Sequence, residues 1–358
     1  MSEGSTTTRW SASAVGFRLV EWMTGAERAT YSFSALRIIY GIAMLWFLLV
    51  SAADRHYLWG IASRWVEPAV DRRGYPWFFK MFPKDDAFTF DLAYGILIAL
   101  ALLFVVGFAT RIVTPILLLF WVGLSTNSVF LTNGGDVVMR ITLLFCVFAN
   151  LSAHWSFDAW WRRRSGNRSM YPRSVTQRIP RWLITTAHNT ALVLCAYQLI
   201  LIYVNSGIFK LMGDEWLQGS ALYYALNLEV FRVFPALSDL AWQVTPFVVV
   251  GSWISIWAQL LFPVLLLWRT TRYATLIVLM GMHLGIGLFL GLWPFSMAMI
   301  ALDLLFVRDA SWRHAFAWSS DTWRSMRAKI AARSAVAGAP VSPGATEPAL
   351  ERVGETEA

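Results

Sequence analysis

The chain has 358 residues, 57% of them hydrophobic and only 15% charged, with a mean hydropathy of +0.51. Soluble domains run about 45–50% apolar and about 25% charged, so the balance excludes an ordinary water-soluble domain and points to lipid as the solvent. The net charge of +8 lies in basic clusters beside apolar runs, a pattern that membrane topology explains without a nucleic-acid partner.

Residues 1–32 read as a polar cytoplasmic segment without the apolar stretch of a cleavable signal peptide. A crossing helix needs about 20 mostly apolar residues. Candidates lie at 33–53, 88–108, 112–131, 137–153, 187–206, 247–268, 273–292 and 294–308. The prediction is an all-α, polytopic integral membrane helical bundle of about eight transmembrane helices. The last two are joined by Gly291-Leu292-Trp293-Pro294, which is either a tight turn or a kink in one broken helix. Residues 33–308 thus form one membrane domain.

The connections carry their own signals. The 54–87 loop mixes both signs of charge and contains Tyr75-Pro76-Trp77-Phe78-Phe79, an interfacial stretch. Arg162, Arg163, Arg164, Arg168, Arg173, Arg178 and Arg181 crowd the connection after the fourth candidate, which the positive-inside rule places in the cytoplasm. Counting outward puts Arg9, Arg18 and Arg28 on that side. Arg269, Arg272 and the tail with Arg308, Arg313, Arg324, Arg327, Lys329 and Arg333 follow. Both termini are therefore expected in the cytoplasm of a multi-pass plasma-membrane protein. The outer 207–246 segment has apolar and aromatic residues at helical spacing from Trp216 to Phe234, predicting an extracytoplasmic interfacial helix. Residues 309–358 read as a basic and then, beyond Ser334, disordered tail. Cys146 and Cys195 sit inside apolar runs, without the spacing of a zinc site or a disulfide framework. No metal is expected.

Ionisable groups within apolar spans are the sharpest clues to function, because burial there is costly without a partner. Asn133-Gly134-Gly135-Asp136-Val-Val-Met-Arg140 permits a tight turn, lets Asp136 cap the next helix, and sets Arg140 four residues on along the same face. The pair is either a structural ion pair or the polar floor of a cavity offered to an anion. Lys210 follows Asn205-Ser206-Gly207, which suits a locally unwound helix end. It either snorkels to the interface or, held away from water, serves as a general base. His283 lies near the midplane of its span, flanked by Gly281, Gly285 and Gly287 that would admit a neighbouring helix or a ligand. It either bonds another helix or carries a proton toward a quinone-like ligand. His154 and His188 read as structural, and Arg37 and Asp303 as anchors near the cytoplasmic ends.

Taken together, Tyr203-Val-Asn205-Ser206-Gly207-Ile-Phe-Lys210-Leu-Met-Gly-Asp-Glu-Trp216-Leu-Gln-Gly219 resembles a motif of vitamin K-dependent γ-glutamyl carboxylase. Ala153-His154-Trp155-Ser156-Phe157-Asp158 and Met282-His283-Leu284 are similar to two further carboxylase segments. The wider group is the horizontally transferred transmembrane (HTTM) domain family, which has many bacterial members, and the likeness spans roughly residues 30–310. In the carboxylase a lysine deprotonates reduced vitamin K, and oxygen converts the quinol to an epoxide. The strong base so formed removes a γ-proton from glutamate, to which CO2 adds.

The resemblance implies Lys210 as catalytic base and a reduced vitamin K-type quinone as cofactor. It implies His283 as a pocket residue and a secreted peptide or protein as possible substrate; with the polar floor of Arg140 and Asp136, and with Asn127, Asn205 and Trp216, this makes up the candidate pocket. Asn127 stands where the carboxylase places another histidine. Only about fifty residues follow the last span, where the carboxylase carries a large substrate-binding domain. The alternative reading is a non-catalytic accessory membrane protein for export, maturation or immunity of a secreted peptide. A small-solute transporter would need ionisable residues along a path through the bilayer, and the midplane offers little besides His283.

Overall fold

A computed structural model describes residues 12–63, 77–166 and 179–337. The chain divides after Asp309 into two compact units. The first contains the helices α1 (Ala12–Thr24), α2 (Thr30–Val50), α3 (Ala87–Val106), α4 (Thr110–Ser125) and α5 (Gly134–Cys146). It continues with α6 (Arg181–Leu211), α7 (Thr245–Leu260), α8 (Arg269–Leu290) and α9 (Trp293–Asp303). The second unit follows from helix α10 (Asp309–Ala337), whose first residue still belongs to the first unit. Short helices and turns fill the connections, and among the described residues there is no strand.

Among the described residues four helices, α2, α3, α6 and α8, are long and apolar enough to cross a membrane. A fifth crossing results if Pro235–Gln243 and α7, bent by 90° at their junction, count as one span. This supports a helical membrane protein with fewer full-length crossings than the predicted set of about eight. Side chains such as Tyr197, Leu201 and Ile277 are exposed on these helices, as lipid-facing positions require.

The shortfall has local causes. The span expected at 137–153 ends at Cys146: Phe148 and Ala149 N–H close a tighter turn onto Phe145 and Cys146, and from Asn150 the backbone is bonded elsewhere. Asn150 N–H donates to His188 Nδ1 at 2.9 Å, and Leu151 C=O accepts from Arg37 Nε at 3.1 Å. The 247–268 span stops at Leu260, and a separate turn, Phe262–Leu265, carries Pro263. The last candidate is an 11-residue helix followed by a 3-10 turn. Gly291, at φ 69°, makes the 291–294 junction a tight turn between two helices rather than a kink in one. The 31-residue α6 extends well past both ends of its predicted span.

The single interfacial helix expected between Trp216 and Phe234 is instead a series of short pieces: Asp214–Leu217, Ala221–Leu226, Glu229–Phe231 and Pro235–Gln243. Gly219 at φ 76° closes the first of them. The α10 helix runs three residues past Ser334; the rest of the expected disordered tail lies outside the described residues. So do Arg9, Tyr75, Pro76, Arg168, Arg173 and Arg178.

Tertiary contacts start two of the helices. Ala29 and Ala109, which precede α2 and α4, both adopt the left-handed conformation and offer no side-chain cap. Asp309 accepts from the backbone N–H of Thr30 and Tyr31 at 3.2 and 3.1 Å. Asp158 accepts from those of Ala109 and Thr110 at 2.9 and 3.2 Å. Each aspartate thus satisfies the orphan donors of a helix remote in sequence. Both lie in the pattern Asp-Ala-x-Trp-Arg, at 158–162 and 309–313.

Arg37, expected to anchor at the cytoplasmic surface, is fully buried. Its guanidinium donates to the carbonyls of Leu151, Phe104, Val105 and Trp155. Around it α2 packs against α3 and α9, and the core fills with Phe33, Leu36, Tyr40, Met44, Phe104 and Leu302. With lipid outside, close packing and internal hydrogen bonds hold such helices together.

Candidate functional site

The site is built where α6 crosses α7. A Cβ added to Gly207 would lie 2.9 Å from Leu260 Cβ and 3.0 Å from its Cα, so only glycine allows this backbone approach. Three residues on, Lys210 turns into the crossing, and its Nζ donates to Gln259 Oε1 at 2.5 Å. The amine also stands 4.8 Å from the ring centroid of Trp216, a cation–π distance. No carboxylate among the described residues pairs with it. Lys210 therefore does not snorkel, and the unwound end expected at Asn205-Ser206-Gly207 is absent: α6 is continuous to Leu211.

Tyr203 lies seven residues before Lys210, two turns back on the same face. Its hydroxyl is 3.0 Å from His283 Nε2 and 3.0 Å from both oxygens of Asp303. Phe262 meets the Tyr203 ring edge-on at 4.9 Å, and Phe295 meets His283 at 5.6 Å. All three polar residues are buried, Asp303 completely, so Asp303 is no surface anchor. The two groups are linked through Gln259, which holds Lys210 and whose Nε2 lies 3.8 Å from the sulfur of Met282, the residue before His283. Of the flanking glycines, Gly287 admits the Trp293 ring, whereas Gly281 has nothing nearby and Gly285 meets only Phe289 of its own helix.

The other expected pocket residues have surroundings of their own. Asn133, not Asp136, caps α5 by accepting from Asp136 N–H. Asp136 instead accepts from Trp121 Nε1 at 2.6 Å and Ser125 Oγ at 3.0 Å, and meets Arg140 Nη2 at 3.0 Å. The cavity beside it is about 10 Å³, the lower limit for one water. Asn127 donates its amide to the carbonyls of Trp59 and Phe82, and Asn205 is exposed. Lys210 and Trp216 thus come together, with Met282 and His283 reached through Gln259, while Arg140, Asp136 and Asn127 have the other partners named above and Asn205 is exposed.

An open cleft of about 310 Å³, which does not include Trp216 or Lys210 in its lining, is formed by Gln218, Ser220, Tyr223, Trp242, Gln243 and Val249, among others. Its size is that of a small-ligand pocket.

Residues 27–312 match the HTTM domain. The chain belongs to the HTTM family. That domain is associated with vitamin K-dependent carboxylase-like membrane proteins. Nothing matches this HTTM protein among curated proteins or among solved structures.

Tyr203, Gln259 and Asp303 are the neighbours that sequence reasoning did not assign to the site. An acid within an apolar span was a signal for Asp303, and spacing from Lys210 was one for Tyr203. Gln259 gave only a lone amide in an apolar run.

Proposed function

We propose that this HTTM protein is a membrane-embedded, carboxylase-like enzyme in which Lys210 is the general base toward a reduced quinone. The observation that carries the reading is the placement of Lys210 Nζ inside the α6–α7 crossing, held by Gln259 and faced by Trp216. A snorkelling lysine would need none of these. Gln259 Oε1 can accept an N–H from the amine or from the ammonium, so the side chain keeps its place before and after taking a proton.

The residues present suit a ring with hydroxyl groups. Aromatic faces from Trp216, Phe262 and Phe295 supply apolar walls, and His283 Nδ1 is a buried polar atom without a partner. A bound reduced quinone supplies, with dioxygen, oxidation to the epoxide and water. Lys210 takes the hydroxyl proton, and the apolar surroundings exclude the water that would quench a strong base. Carboxylation of a second substrate, a secreted peptide or protein, belongs to the same proposal, as does a plasma-membrane location with both termini in the cytoplasm.

The test is anaerobic binding followed by aerobic turnover of reduced 2-methyl-1,4-naphthoquinone, comparing wild type with Lys210→Ala. Lysine-dependent epoxide formation is expected. Equal turnover in the variant would remove Lys210 as base. Neither binding nor oxidation by the wild type would leave the accessory, non-catalytic role.

A further inference from the structure

Tyr203 has one hydroxyl proton and neighbours on two sides. Its oxygen lies 3.0 Å from His283 Nε2 and 3.0 Å from each oxygen of Asp303. An ionised carboxylate only accepts, and a neutral imidazole has one donating and one accepting nitrogen. With Asp303 ionised, the phenol donates to the carboxylate and accepts from Nε2–H. His283 Nδ1 is then a bare lone pair.

That nitrogen is buried and has no hydrogen-bond partner, and the residue is only 2% exposed. A buried acceptor without a donor is costly. The group that relieves it is a donor from a ligand, and a hydroxyl is the donor that can also give up its proton.

We propose that Asp303 rests as a carboxylate and that His283, Tyr203 and Asp303 form a proton store, in which a ligand hydroxyl proton delivered to His283 Nδ1 ends as a carboxylic acid proton on Asp303. The inference rests on the quinol reading above. A reduced quinone has two hydroxyl groups; Lys210 takes the proton of one and this array takes the proton of the other.

The step balances. The ligand O–H bond breaks as Nδ1–H forms, Nε2–H breaks as a new Tyr203 O–H forms, and the original phenol O–H breaks as an Asp303 O–H forms. The imidazole ends neutral with its tautomer exchanged. Negative charge moves from Asp303 to the ligand oxygen. No imidazolium forms at any point. Tyr203 and Asp303 act through His283 and are positioning residues.

The experiment is infrared difference spectroscopy of the full chain in lipid nanodiscs, with and without reduced 2-methyl-1,4-naphthoquinone under anaerobic conditions. Binding is expected to add the carbonyl stretch of a protonated carboxylic acid. The band should shift when the protein carries carboxyl-13C aspartate. It should vanish in Tyr203→Phe and Asp303→Asn while the quinol still binds, and survive in Lys210→Ala.

Bound quinol without the band, a band unmoved by labelled aspartate, or the same band in Tyr203→Phe would overturn the proton store. If Asp303→Asn does not fold, the labelled wild type and Tyr203→Phe decide the matter. Lysine-dependent oxidation without an aspartate band would sink the store alone. Failure of the wild type to bind the quinol would overturn the quinol reading and this inference with it.

Discussion

The amine of Lys210 is 2.5 Å from the side-chain oxygen of Gln259, and the contact exists because Gly207 lets α6 and α7 cross almost backbone to backbone. The glycine therefore sets the position of the lysine as well as the packing of two helices. Gly207→Ala would push against Leu260, whose Cα and N lie 3.0 Å from the added carbon. Overpacking of this kind costs about 1–3 kcal/mol. The variant should unfold at lower temperature in detergent and lose quinol oxidation disproportionately; an unchanged melting curve would contradict the crossing.

Gln259→Leu keeps the volume near Lys210 and removes the acceptor. Because small misplacements of a reacting group cost about 10²-fold in rate, epoxide formation should fall by about that factor while the protein stays folded. Turnover equal to wild type would detach Gln259 from the function of Lys210.

Asp158→Ala and Asp309→Ala each remove the cap of a helix that has none of its own. Loss of a cap costs about 0.5–2 kcal/mol. Each also accepts from the threonine hydroxyl of the helix it caps, so Asp158, 2% exposed where Asp309 is half-buried, should give the larger drop in thermal stability. The two caps serve different helices, so the double variant should show nearly the sum of the single effects.

Arg37→Met leaves the carbonyls of Phe104, Val105, Leu151 and Trp155 without their shared donor. Phe104 C=O keeps the Gly107 N–H, but the other three lose this donor; each buried unpaired acceptor costs about 1–3 kcal/mol, so the variant should fall below the level needed to accumulate in membranes. Membrane yield measured beside the wild type checks this. Wild-type yield and melting temperature would show that water satisfies these carbonyls instead.

Asp86 caps α3, accepting from the backbone of Phe88 and Thr89 and from the Thr89 hydroxyl. Those bonds, the hydroxyl foremost, hold its carboxyl below the usual carboxylate range. A depressed folded-state value means stabilisation that is present above the unfolded value of about 3.9 and is lost as pH falls through the folded one. The melting-temperature gap between wild type and Asp86→Ala should be full near neutrality and shrink in strong acid. A gap independent of pH would exclude the carboxylate as its source.

Much of the candidate site was legible along the chain. Lys210 and Trp216 stand six residues apart in one motif, and their pairing is nearly local. His283 was visible as a histidine within an apolar span. Asp136 and Arg140 were legible as a pair, since four residues on a helix share a face, but not as a pair held by Trp121 and Ser125. Asn127 and Asn205 were placed by resemblance, and one is held by two loop carbonyls while the other is exposed.

Helix lengths were the weaker part of the reading. The apolar run at 137–153 continues past Cys146, yet His188, Ser34 and Arg37 bond the backbone of Asn150, Leu151 and His154. Composition cannot register such competition, because the competitors lie far away in sequence.

The sequence by itself determined the solvent, the helical class and the family, because hydropathy and a short motif are sums over neighbouring residues. Only the tertiary structure decided that Tyr203, His283 and Asp303 meet, and that Asp158 and Asp309 start helices remote from them in the chain. Those pairings depend on how closely two backbones approach, which is a property of helices already packed together.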